Sequence, residues 1–200
     1  MLKVGLTGSI AVGKSNVCGI FRQLGAFVLD ADQTAREVVA PKTQGLKAIV
    51  ENFGAEVLAA NGELDRLKLG GVVFADEAKR QLLNSIVHPL VIEEQNKWLR
   101  KCERENPDAI CIVDAALMIE SNGYKRFDKL IIVWCEPAIQ LQRLMLRNHL
   151  NEIEALKRIN AQMPQAEKKR FADFLINTSE GFETTRAQTT EIFRQLKLLI

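Results

Sequence analysis

Eight residues near the amino terminus, Gly8-Ser9-Ile10-Ala11-Val12-Gly13-Lys14-Ser15, leave the chain little choice of local structure. They match G-x-x-x-x-G-K-[ST], a loop that wraps a phosphate group. The glycines let the backbone curl so that successive N–H groups face phosphate oxygens. A helix that follows adds its amino terminus to the same anion. Lys14 is the expected partner of the β- and γ-phosphates, and the Ser15 hydroxyl is a ligand for Mg²⁺. The flanks fit, with a short apolar run at 2–7 before the loop and a helical pattern from Lys14 to about Leu24 after it. A strand, loop and helix that bind a nucleoside triphosphate with magnesium are therefore expected, with Gly8, Ser9, Ile10, Ala11, Val12, Gly13, Lys14 and Ser15 on the nucleotide.

Four more short apolar runs lie at 26–29, 109–113, 130–135 and 174–176. None alternates polar and apolar residues, the mark of strands buried on both faces of a parallel sheet. Helical patterns separate most of them, so the expected architecture is α/β: a three-layer sandwich around a five-stranded parallel sheet. The last helix starts near Glu183 and carries Ile192, Phe193, Leu196 and Leu199 on one side. Residues 33–104 carry no convincing strand and read as a helical insertion, punctuated by Pro41, Gly54, Gly62 and Gly70-Gly71. Residues 140–165, rich in arginine, read as a helical lid. The core is then 1–32, 105–139 and 166–200.

Two hundred residues bury an ample core without disulfides or metal. The four cysteines, Cys18, Cys102, Cys111 and Cys135, form no C-x-x-C pair and read as reduced, structural thiols of a cytoplasmic protein. The net charge of +2, with one Tyr and two Trp, gives no basic stripe interleaved with aromatics, so no nucleic-acid partner is expected. No apolar run approaches the ~18 residues of a membrane span, so no membrane partner is expected either. The oligomeric expectation is a monomer or a weak homo-oligomer.

A GTPase would carry a guanine-reading N-K-x-D, but Asn96-Lys97 is followed by Trp98 and Leu99. A small kinase suits the length. Asp30-Ala31-Asp32 follows the second apolar run, where ligands meet the carboxyl ends of parallel strands. Asp32 could serve as a base for an acceptor hydroxyl, and could equally cap the next helix. Arg143 and Arg147, spaced i, i+4, could neutralise a transferring phosphoryl group from a lid, or simply form a solvated face. Asp114 ends the third run like a carboxylate that helps hold Mg²⁺, usually through water.

Several segments in order carry a closer likeness. The loop at 5–15 is followed by Asp30-Ala31-Asp32 with Arg36, then Arg66 and Leu69 with Val73-Phe74. Next come Leu83-Asn84-Ser85-Ile86-Val87-His88-Pro89, Gln142-Arg143 with Arg147, Arg158-Ile159 with Gln162, and Ala172-Asp173-Phe174-Leu175-Ile176. In this order they resemble the dephospho-coenzyme A kinase family over nearly the whole chain. The resemblance implies transfer of the ATP γ-phosphoryl group to the ribose 3′-hydroxyl of dephospho-CoA, with Mg²⁺ as cofactor. It implies Asp32 as the base and Lys14 and Arg143 as the other catalytic residues. It adds Arg147 and Asn177 to the ATP contacts, and Asp32, Arg36, Arg66, His88, Leu117 and Glu120 to the acceptor contacts. The insertion would hold the acceptor. Three positions depart from the pattern: Ala116 replaces a proline, which would loosen its loop; Asn148 stands where an aspartate often follows; and Thr178 takes the place of an asparagine, with Asn177 one residue early. A kinase for another small hydroxyl compound, or a slow nucleotide switch, are the competing readings.

Overall fold

A computed structural model describes residues 1–200. The five apolar runs form strands β1 (Leu2–Thr7), β2 (Phe27–Asp30), β3 (Ile110–Asp114), β4 (Lys129–Trp134) and β5 (Phe174–Asn177). They pair in parallel in the order β2-β3-β1-β4-β5. The expected five-stranded parallel sheet is thus present. Parallel neighbours need long crossovers, and helices supply them on both faces. The strand before the phosphate loop is the central one, so the loop leaves the carboxyl edge of the sheet at its middle.

The chain divides into two compact units, residues 1–30 with 99–200, and residues 31–98. In the first, Val4, Leu6, Ile112 and Ile131 are sealed from water in the sheet. Val17 and Phe21 of α1 (Lys14–Gln23) join the same core, together with Ile192 and Leu196 from the last helix. Each such side chain contributes about 1.5–3 kcal/mol on burial.

The second unit is helical: α2 (Ala31–Glu37), α3 (Gln44–Phe53), α4 (Arg66–Phe74) and most of α5 (Glu77–Glu105). Val39, Ile49, Phe53, Val57, Leu69 and Val73 form its core. Thr43 caps α3 by accepting from the Leu46 N–H, and Asp65 caps α4 by accepting from Leu67 and Lys68. Those caps explain a difference from the sequence pattern: Gly70-Gly71, expected as a break, lies inside α4. The Asp65 cap and burial of Leu69 and Val73 offset the roughly 1 kcal/mol that each glycine costs a helix. Pro89 also sits inside a helix, the 29-residue α5.

The arginine-rich stretch forms three helices. These are α6 (Pro137–Asn148), α7 (Glu152–Asn160) and the short α8 (Gln165–Lys168). His149, in the left-handed region at φ 52°, ends α6, and an Asn151–Glu154 capping box starts α7. The last helix, α9 (Phe182–Lys197), stops before Leu199, which is exposed instead of joining Ile192 and Leu196. No helix is long and apolar enough to cross a membrane.

Candidate active site

The phosphate loop is tightly specified by its surroundings. A Cβ on Gly8 would lie 2.3 Å from the Val133 carbonyl oxygen, so only glycine lets the loop lie against β4. Gly13, at φ 91°, is the N-cap of α1 and offers no side chain to its first N–H groups. Those N–H groups, with no acidic residue in the first turn of α1, remain available to an anion. Ala11 holds φ 62°, an uncommon conformation for a residue with a Cβ and one that stores strain. The Ser9 hydroxyl oxygen is buried with no hydrogen-bond partner, an orphan that a bound phosphate would satisfy.

Lys14 lies 3.8 Å from Asp114, both side chains largely shielded from water. The second Asp114 oxygen accepts from the Cys18 thiol at 3.5 Å. Burial, and then that carboxylate, push the Cys18 thiol far above its ordinary range. Asp30 pairs in register with Asp114 across β2 and β3, so two carboxylates stand side by side at the carboxyl edge of the sheet. Ser15 is exposed at the second residue of α1. Asp32 lies in the first turn of α2, in the second unit, and is exposed.

Arg143 is anchored rather than loose. Its two terminal nitrogens donate to the Thr178 hydroxyl and to the Thr178 carbonyl, each at 2.8 Å. The Thr178 hydroxyl in turn donates to the Val12 carbonyl of the phosphate loop at 2.7 Å. Thr178, the residue in the family asparagine's place, thus joins β5, α6 and the loop. Asn177 is engaged locally: its N–H donates to Gln188, and its side-chain oxygen accepts from the Ser179 N–H at 2.9 Å. Arg147 is exposed and donates to Asn148.

Glu120 accepts from Lys168 at 2.8 Å and from the Met163 N–H at 3.3 Å. Lys168 is fully buried and also donates to the Ala116 carbonyl at 3.0 Å, to which Thr7 donates as well. That carbonyl is therefore held from two sides. The loosening expected from the missing proline at Ala116 is offset by these bonds. Leu117, next to it, is exposed.

In the second unit, Arg36 ends α2, Arg66 begins α4 and His88 precedes Pro89 on α5; all three are exposed. Sequence reasoning passed over Thr178 and Lys168 as partners within the site, and over the roles of Gln140, Gln162 and Gln165. Isolated polar residues without periodicity leave no pattern to read; Gln162 and Thr178 alone stood in recognisable segments, Thr178 as a departure from one.

A phosphate loop on the central strand of a five-stranded parallel sheet, with a loop lysine facing a strand-end carboxylate, defines the class of P-loop kinases. Shikimate kinase from Bacteroides thetaiotaomicron shares this fold at a TM-score of 0.52 and 13% identity, with 98% of each chain covered. Residues 2–183 match the profile of the dephospho-CoA kinase family, and the chain belongs to that family. A dephospho-CoA kinase of Listeria monocytogenes is 44% identical over 92% of each sequence. The solved dephospho-CoA kinase of Campylobacter jejuni superposes at a TM-score of 0.74 with 26% identity, covering 98% of this chain and 96% of that one.

Proposed function

We propose that the chain transfers the γ-phosphoryl group of ATP to the ribose 3′-hydroxyl of dephospho-CoA, releasing CoA and ADP. Membership of the dephospho-CoA kinase family carries this reading, and the phosphate loop with its Lys14–Asp114 pair supplies the chemistry. ATP lies with its phosphates in the loop at Gly8 to Ser15, over the amino terminus of α1. Lys14 leaves Asp114 to meet the β- and γ-phosphates. Arg143 presents its remaining N–H groups to the nucleotide from the place where Thr178 fixes it. Arg147 contributes a further positive charge, while the Asn177 side-chain oxygen holds the turn after β5.

The acceptor hydroxyl oxygen attacks the γ-phosphorus, ADP leaves, and Asp32 takes the hydroxyl proton. The helical unit, with Arg36, Arg66 and His88, holds the long acceptor, so remote binding energy aligns the hydroxyl. Leu117 and Glu120 line the loop after β3 on the acceptor side, with Glu120 held in place by Lys168. Residues 140–165 act as a lid that keeps water from the γ-phosphate.

The donor set fits Mg²⁺: an exposed hydroxyl at Ser15 and the carboxylate of Asp114 are hard oxygen ligands. A bound Mg²⁺, held by these residues, would supply positive charge to offset that of the phosphates. The four free, buried cysteines suit a reducing, cytoplasmic compartment.

The reading is tested by incubating the protein with ATP, Mg²⁺ and dephospho-CoA and examining the product by mass and phosphorus NMR. The expected product gains one phosphomonoester, on the ribose 3′ oxygen. A phosphate at any other position, or none, refutes it.

A further inference from the structure

The segment Arg158-Ile159 with Gln162, and the glutamines around it, have no part in the chemistry above. Three of them converge on the phosphate loop: Gln162 directly, and Gln165 through Gln140. The Ile10 N–H donates to Gln162 Oε1 at 2.7 Å, and the Ile10 carbonyl accepts from Gln140 Nε2 at 2.8 Å. Gln140 Oε1 accepts from Gln165 Nε2 at 2.7 Å, and Gln165 Oε1 accepts from the Cys135 N–H at 3.1 Å. Gln140 is 2% exposed, so its amide has no water to fall back on.

A primary amide donates at one end and accepts at the other. Each glutamine here has one workable orientation. Gln140 must turn its NH₂ to the Ile10 carbonyl because Gln165 donates to its oxygen. Gln165 is oriented in turn by the Cys135 N–H. Ile10 directly precedes Ala11, the residue held at φ 62°. A strained backbone persists only where its surroundings over-determine it. The two glutamines that grip the peptides on either side of Ile10 supply that determination from α6 and from the link between α7 and α8.

We propose that Gln162 and Gln140 are positioning residues that set the phosphate loop for the nucleotide, with Gln165 acting through Gln140. On the loop they bond only to the backbone, and they take no part in bond making. Their contribution is the direction of the two peptide planes that flank Ile10 and, through them, of the N–H groups that follow. Small displacements of such groups are costly to a reaction that depends on alignment. The inference rests on the loop being the ATP site.

The test is a variant series in the full chain, read as the KM for ATP against the KM for dephospho-CoA. Gln162→Leu removes the acceptor for the Ile10 N–H. Gln140→Glu keeps the shape but turns a carboxylate oxygen toward the Ile10 carbonyl. Each should raise the ATP KM by roughly three- to tenfold, the range of one neutral hydrogen bond, with the dephospho-CoA KM within about twofold of wild type. Gln165→Leu, which reaches the loop only through Gln140, should shift the ATP KM in the same direction by less. If Gln140→Glu fails to fold, the other two variants carry the test. An unchanged ATP KM in Gln162→Leu, or equal rises in both KM values, overturns the proposal. A wild-type protein that never saturates with ATP removes the reading on which it stands; a saturable wild type with indifferent variants removes the proposal alone.

Discussion

Lys14 Nζ stands 3.8 Å from Asp114 Oδ1, so the lysine of the phosphate loop and the carboxylate that ends β3 partly neutralise each other. The pair holds a shielded cation and a shielded anion together, and in the proposed reaction Lys14 leaves it for the phosphates of ATP. Lys14→Ala should lower kcat/KM by about 10²–10³-fold, the cost of losing one preorganised charge donor. Steady-state kinetics with ATP varied at saturating acceptor measure it. Wild-type turnover in that variant would refute the role of the loop lysine.

Asp32→Asn tests the base: α2 begins at Ala31, so Asp32 lies inside its first turn and does not cap it as the sequence also allowed. If the carboxylate takes the acceptor's proton, turnover falls by roughly 10²–10⁴-fold while ATP affinity stays within about twofold. Calorimetric titration with ATP, set beside the turnover number, gives both quantities. A loss of ATP affinity equal to the loss of rate would assign Asp32 to nucleotide binding or folding instead.

Thr178→Val keeps the shape of the side chain and removes the hydroxyl that joins Arg143 to the Val12 carbonyl. The buried Val12 oxygen loses its donor, at a cost of about 1–3 kcal/mol in stability. Urea denaturation measures that loss. Thr178→Ser should restore most of it, and a Val variant as stable as wild type would contradict the bond's contribution.

The thiols give a pH prediction. Burial, then the neighbouring Cys102, push the Cys111 thiol up from 9.0 to about 12. Below pH 9 both folded and unfolded chains keep the thiol proton, and its contribution to stability is fully present. Between about pH 9 and 12 the unfolded chain releases the proton and the folded chain retains it, so stability falls as pH rises. Chemical denaturation across that window should show the decline, and Cys111→Ala should flatten part of it. A profile unaltered by the substitution would sink this assignment.

The sheet was legible because its strands announce themselves: 110–113 and 130–135 are unbroken apolar runs, within which β3 runs on to Asp114 and β4 ends at Trp134. The phosphate loop was legible because its chemistry requires glycine at positions 8 and 13, where a Cβ collides with Val133 or the backbone turns left-handed. The helix through Gly70-Gly71 was not, because a cap at Asp65 and burial of Leu69 and Val73 override a local propensity. The supporting partners were least legible. Thr178 meets Val12 across 166 positions of sequence, and Lys168 meets Ala116 across 52. Contacts of that span are created by the fold and leave no local spacing to detect.

ADP release by the purified protein with ATP and Mg²⁺, measured with and without dephospho-CoA and with AMP, adenosine and shikimate as parallel acceptors, decides whether the chain phosphorylates dephospho-CoA. Strong stimulation by dephospho-CoA alone is expected, with one CoA formed for each ADP released. Stimulation by another acceptor with none by dephospho-CoA, or ADP release indifferent to any acceptor, would contradict that activity.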